Sequence, residues 1–368
     1  MTGKAGDAVF IEEGDARIFR TSTAHVGNGP GEKGKEAFYN SAMRLNRDIS
    51  VMVIRSLPDG IRVLDAMGAT GIRGIRYALE GGRKEVHISE IREEAAAEIR
   101  SNAELNGADI TVHNRDANTL MREMKFDFID IDPFGTPVPF IDSALAGLKD
   151  RGILAITATD TAPLCGTYPA VCRRRYLAEP VHSHFGHESG LRILLGFVAR
   201  MGGMHDMALT PVLSYYRDHY FRAFFRAKKG AGRANRNLES LKYFTFDEKS
   251  AEWNIYDSAE DAGRRGDKVY GPIWGGPPGD TAFIESVLDR GENMTEDSVE
   301  LVRMLSAEND APIFFHDVDV ISSVVHRSPP PREAVFRAVP DAVRTHFSPL
   351  GFKTSLSARE VIDLFREL

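Results

Sequence analysis

The sequence predicts an α/β protein, a mostly parallel, doubly wound sheet followed by a smaller α+β domain. Residues 61 to 157 alternate short apolar runs with stretches of helical spacing. Those runs end in acids or in turns marked by glycine and proline. The 368 residues exceed one ordinary core, and a basic stretch at 228–237 offers a linker, so domains of 1–230 and 231–368 are expected.

Element by element, Ile61 to Asp65 reads as a first strand leading into a glycine-rich turn, and Ile72 to Leu79 as the helix after it. Glu85 to Ser89 is a second strand, Arg92 to Leu105 an alanine-rich helix, and Ile110 to His113 a third strand. Phe126 to Ile131 is a fourth, stopped by Asp132-Pro133 because proline has no N–H for the ladder. Gly152 to Thr157 is a fifth. Beyond it, Leu191 to Met201 has helical spacing, Met207 to Leu213 and His219 to Ala227 read as late strands, and Lys228 to Asn237 as a basic loop.

Composition narrows the function. No apolar run is long enough for a membrane span, and no signal-peptide core opens the chain. Two cysteines, Cys165 and Cys172, exclude a disulfide scaffold and fit a reducing cytoplasm, and they are too few for a cysteine-built zinc site. His182, His184 and His187 lack partners at ligand spacing, so no metal is expected. The net charge is −7, yet Arg217 to Arg236 carries seven Lys or Arg residues against one acid, interleaved with aromatics. Local potential rather than net charge attracts phosphate. Alternation in this segment places some rings in the core and Arg222, Arg226, Lys228, Lys229 and Arg233 toward nucleic acid.

Asp65-Ala66-Met67-Gly68-Ala69-Thr70-Gly71-Ile72-Arg73-Gly74 joins the first strand to the first helix. Glycines there let a ligand approach the backbone. Gly68, Gly71 and Gly74 fall at intervals of three, so the close glycine pair of a dinucleotide fingerprint is missing. Glu90 follows the second strand, where a carboxylate suits ribose hydroxyls, and Asp116-Ala117 follows the third, where an acid suits an adenine amine. Acids in that order fit S-adenosylmethionine better than NAD. Gly68 and Arg73 are counted with Asp65, Glu90, Asp116 and Ala117 as donor contacts.

Asp132-Pro133-Phe134-Gly135 is the sharpest signal. An exocyclic amine on a purine is a poor nucleophile because its lone pair is delocalised. A carboxylate such as Asp132 localises that pair and takes the proton. Pro133 fixes a carbonyl for the second amine hydrogen, Phe134 offers a stacking face, and Gly135 leaves room for a base.

These segments resemble the tRNA (guanine-26 N2)-dimethyltransferase family in its archaeal form. The match runs through Phe38-Tyr39-Asn40, Asn46 to Ser50, Asp65 to Arg76, Asp132 to Pro137, Thr157 to Gly166, His187-Glu188, Gly271 to Trp274 and Arg344 to Pro349. The resemblance implies a class I, Rossmann-like methyltransferase domain with a family-specific C-terminal domain that binds tRNA. It implies one or two methyl transfers from S-adenosylmethionine to guanine N2. It assigns Arg47 to the donor's carboxylate and Phe38, with Phe134, to the target base. Arg344 and Lys353 are expected at phosphates. Ser41 and Arg44 depart from the family's usual proline and acid, and the 247–269 segment lacks the cysteines many relatives carry. A cytoplasmic monomer is expected. The alternatives are an amino-methyltransferase for another nucleic-acid site and an RNA-binding relative without turnover.

Overall fold

A computed structural model describes residues 9–20, 39–82 and 84–368. A hairpin of β1 (Val9–Glu13) and β2 (Ala16–Arg20) precedes α1 (Arg44–Ser56). Then follow β3 (Arg62–Asp65), α2 (Ile72–Glu80), β4 (Glu85–Ser89), α3 (Glu93–Leu105), β5 (Ile110–His113), α4 (Ala117–Glu123), β6 (Phe126–Ile131), α5 (Val138–Gly147) and β7 (Leu148–Ala158). The chain continues through α6 (Thr161–Leu164), α7 (Pro169–Tyr176), α8 (Gly186–Gly203), β8 (Met207–Arg217), β9 (Tyr220–Lys229) and α9 (Ala231–Leu238).

The central sheet has seven strands in the order β5-β4-β3-β6-β7-β9-β8. The ladders β3–β4, β4–β5, β3–β6 and β6–β7 are parallel. Val63, Leu64, Phe128, Ile129 and Ile131 have no exposed surface, as expected for parallel strands covered on both faces. From β3 the chain winds outward to β5, then restarts on the other side at β6. The switch point therefore lies between β3 and β6, where such sheets bind ligands at the strands' carboxyl ends. Asp65 ends β3 and Asp132 follows β6 there.

Two compact units divide the chain. The first comprises the described residues up to Thr159 with Phe224–Lys228 and Glu285–Val302; the second comprises Asp160–Ala223, Lys229–Ile284 and Arg303–Leu368. They do not part at residue 230 as the linker reading expects. Nor is 228–237 a loop, since α9 occupies most of it. Composition marks polarity, but helix formation and contacts between distant segments decide these boundaries.

The second unit carries two small antiparallel sheets. One has the order β11-β10-β12, from β10 (Leu241–Asp247), β11 (Glu252–Tyr256) and β12 (Val269–Trp274). The other has the order β13-β15-β14, from β13 (His316–Asp317), β14 (Val343–Arg344) and β15 (Gly351–Lys353). Val318, Ile321, Val335, Phe352, Val361 and Phe365 form a core there. No helix among the described residues is long and apolar enough to cross a membrane.

Two phosphate contacts expected from the sequence are corrected. Arg222 has no exposed surface, because every residue from Tyr220 to Phe225 on β9 is buried and alternation exposes neither set. Lys353 is 2% exposed, with Nζ 2.7 Å from Glu188 Oε1. Burial disfavours the Glu188 carboxylate, but Lys353 and Arg192 overcome this and hold its pKa below the ordinary value. Removing Glu188 would leave both buried cations without their counter-charge. Lys228, Lys229, Arg233 and Arg344 are exposed and Arg226 half-buried.

Candidate active site

The site grows from the turn after β3. Asp65 is buried; its Oδ1 accepts from Met67 N at 3.3 Å and its Oδ2 from Gly74 N at 3.1 Å. One carboxylate thus ties the turn to the first turn of α2. Gly68 N donates to Ser89 O at 2.9 Å, drawing the turn against β4. A Cβ on Gly68 would lie 2.6 Å from Ile88 Cγ2 and 2.7 Å from Ile99 Cδ1, so only glycine permits this approach. Gly71 caps α2 at φ +81°. Burial, partly offset by Arg73 and reinforced by Asp130, pushes the Asp65 carboxyl up to about 7.

Glu90 follows β4. Its Oε2 accepts from Ala69 N and its Oε1 from Arg92 N, both at 3.0 Å, which fixes the carboxylate beside the glycine turn. Asp116 follows β5 as the N-cap of α4, accepting from Thr119 N at 2.9 Å and Thr119 Oγ1 at 3.0 Å. Ala117 beside it is buried. The three strand-end acids and Gly68 therefore line successive carboxyl ends of one sheet.

Asp132 to Gly135 leave β6 in a turn tied to the end of β7. Gly135 N donates to Thr159 Oγ1 at 2.8 Å, and Thr159 N donates to Gly135 O at 2.9 Å. Gly135 has φ +86°, a conformation that favours glycine. Pro133 is buried, whereas Phe134 is 51% exposed. Such a ring offers a face to a planar partner. Phe38, expected on the other side of the base, lies outside the described residues.

Two arginines meet carboxylates that sequence reasoning did not pair with them. Arg73 bonds Asp132 Oδ2 through Nη2, and through Nη1 reaches Asn46 Oδ1 at 2.9 Å, Ser50 Oγ at 3.2 Å and Asp130 Oδ2 at 3.4 Å. Arg47 donates from Nε to Glu13 Oε1 at 2.6 Å and from Nη2 to Glu13 Oε2 and Asn40 O. Arg76 joins the same Glu13 at 2.9 Å, with Asp48 at 2.6 Å and Glu80 at 2.6 Å. Tyr39 OH adds a bond to Glu13 at 2.9 Å. No spacing rule links residue 13 to 47 and 76, so Glu13 was not legible.

Other candidates fall away. Burial pushes the Cys165 thiol up to about 12, which suits a small packed residue rather than a nucleophile. His187 stacks on Tyr216 with ring centroids 4.0 Å apart. Among the described residues no His, Cys, Asp or Glu group has the arrangement of a metal site.

The arrangement fits S-adenosyl-L-methionine. The fully buried Thr70 Oγ1, within the glycine turn, and Asn46 Nδ2, beside Arg73, have no hydrogen-bond partner among the described residues. Buried polar groups of this kind are normally satisfied.

Residues 14–366 match the family model described as N2,N2-dimethylguanosine tRNA methyltransferase. The chain is 38% identical to the tRNA (guanine(26)-N(2))-dimethyltransferase of Thermococcus kodakarensis, an alignment covering 98% of this chain and 100% of that protein. It is 34% identical to the tRNA (guanine(26)-N(2)/guanine(27)-N(2))-dimethyltransferase of Aquifex aeolicus, covering 90% of each. The solved structure of Trm1 from Pyrococcus horikoshii with S-adenosyl-L-methionine superposes with a TM-score of 0.87 at 37% identity, covering 97% of this chain and 99% of that one. The chain belongs to the N2,N2-dimethylguanosine tRNA methyltransferase family.

Proposed function

We propose that this protein transfers one or two methyl groups from S-adenosyl-L-methionine to the exocyclic N2 of guanine-26 in tRNA. The observation that carries the reading is the Asp132 carboxylate at the sheet's switch point, bonded to Arg73 of the helix after the glycine turn and followed in sequence by Pro133 and the exposed Phe134. When bound, the donor supplies an electrophilic sulfonium methyl group.

This chain's residues do the rest. Glu90 accepts from the ribose hydroxyls and Asp116 from the adenine amine, with Ala117 against the adenine ring and Gly68 giving backbone clearance. Arg47, paired with Glu13, is the cation offered to the donor's carboxylate; Arg73, counted with it from the sequence, is held on Asp130 and Asp132 instead. Asp132 orients the guanine amine and accepts the proton it loses as the nitrogen bonds to carbon and the carbon–sulfur bond breaks. The Pro133 carbonyl receives the second amine hydrogen. Phe38 and Phe134 hold the flipped base. Lys228, Lys229, Arg233, Arg226 and Arg344 bind phosphates, so backbone and shape dominate recognition.

Incubation with labelled donor and unmodified tRNA, followed by digestion and mass spectrometry, tests the reading. Label in dimethylguanosine at position 26 supports it, and label confined to methyladenosine overturns it. Label also at guanine-27, the second position in the name of the Aquifex aeolicus relative, would widen the substrate. Asp132→Asn should bind donor as before and lose about 100-fold or more in turnover.

A further inference from the structure

We infer that Arg73 is the positioning residue of Asp132, a role resting on the proposed part of Asp132 in catalysis. Its guanidinium spans two environments. Asp130 is fully buried at one end, while the Asp132 side chain is 19% exposed at the other. Asn46 and Ser50 on α1 and the Asp130 carboxylate take Nη1, and Tyr77 OH in turn donates to Asp130. Three elements, α1, α2 and β6, thus hold the fork before it reaches the catalytic loop.

The geometry of the grip matters. Arg73 takes Oδ2 of Asp132, and Oδ1 has no hydrogen-bond partner among the described residues. One oxygen is anchored and the other is left for the amine. A planar guanidinium fixes the orientation of the carboxylate better than an ammonium does. An aryl amine acquiring a fourth bond becomes strongly acidic, so a feeble acceptor suffices. Orientation is the gain, and misplacement by about 1 Å costs on the order of 100-fold in rate.

The test is a double-mutant cycle on full-length protein, with single-turnover transfer to tRNA and calorimetric binding of S-adenosyl-L-methionine. Arg73→Lys should slow turnover about 10- to 100-fold, as expected for a loosened catalytic group, with donor affinity within about threefold of the parent. In the Asp132→Asn background the same change should be silent, because Arg73 acts through that carboxylate. Tyr77→Phe, a milder change two steps removed, should show the same pattern at smaller size and guards against misfolding of the first variant. Multiplying effects of Arg73→Lys and Asp132→Asn, or loss of donor affinity with turnover preserved, would overturn the inference. Full turnover of Asp132→Asn alone would instead remove Asp132 from catalysis, a different failure.

Discussion

Glu13→Gln tests whether the buried ion cluster joining β1, α1 and α2 is held by charge. Glu13 is 1% exposed and meets Arg47, Arg76 and Tyr39. Burial works against its ionisation, yet Arg47 and then Arg76 overcome it and bring its pKa from 4.5 to about 2. A carboxylate with a depressed folded-state pKa stabilises the fold above its unfolded value and loses that contribution as pH falls through the folded one. A folded-state pKa one pH unit below the unfolded one is worth about 1.4 kcal/mol, so ionised Glu13 contributes about 3 kcal/mol at pH 7 and about 1 kcal/mol at pH 3. Urea unfolding of parent and Glu13→Gln, followed by circular dichroism at both pH values, measures the difference. The gap between the two proteins should narrow by about 2 kcal/mol on acidification. Hydrogen exchange should show the amides of β1 and α1 losing protection first. A gap that does not change with pH would refute the ionic account and leave only packing.

Gly68→Ala forces a methyl group onto Ile88 and Ile99, so the turn must shift away from β4. It should lose about 1–3 kcal/mol of stability and weaken donor binding in calorimetry. Lys353→Met leaves Glu188 with Arg192 as its remaining cation and should destabilise the protein by about 1–3 kcal/mol in thermal or urea unfolding. It should leave the salt dependence of tRNA binding unchanged. Lys228→Ala with Lys229→Ala should do the reverse, keeping stability and flattening the logarithmic salt slope by roughly 0.7–0.9 for each phosphate the protein no longer neutralises.

Much of the catalytic half was legible because its signals are local. The strands Glu85–Ser89, Ile110–His113 and Phe126–Ile131 fall where apolar runs place them, and the runs are short because helices must intervene in a parallel sheet. Asp65, Glu90, Asp116 and Asp132 each stand at or just past a strand's end, so topology alone gathers them at one edge. Strand β9 was legible as a strand, but the orientation of Arg222 was not. Alternation separates the two faces of a strand, but it does not say whether both are covered.

What the sequence determined by itself is therefore the sheet, the glycine turn, the acids at its edge and the family they belong to. Each follows from periodicity, turn chemistry or motif order, all of which act over a few residues. Tertiary structure alone decided which charges face water. Arg73 closing on Asp132, Arg47 and Arg76 converging on Glu13, and Lys353 buried against Glu188 join residues from 34 to 165 positions apart. A cation reads the same in sequence whether it awaits phosphate or neutralises a buried acid. Only the fold, by removing water from some carboxylates and leaving it at others, assigns each cation its partner.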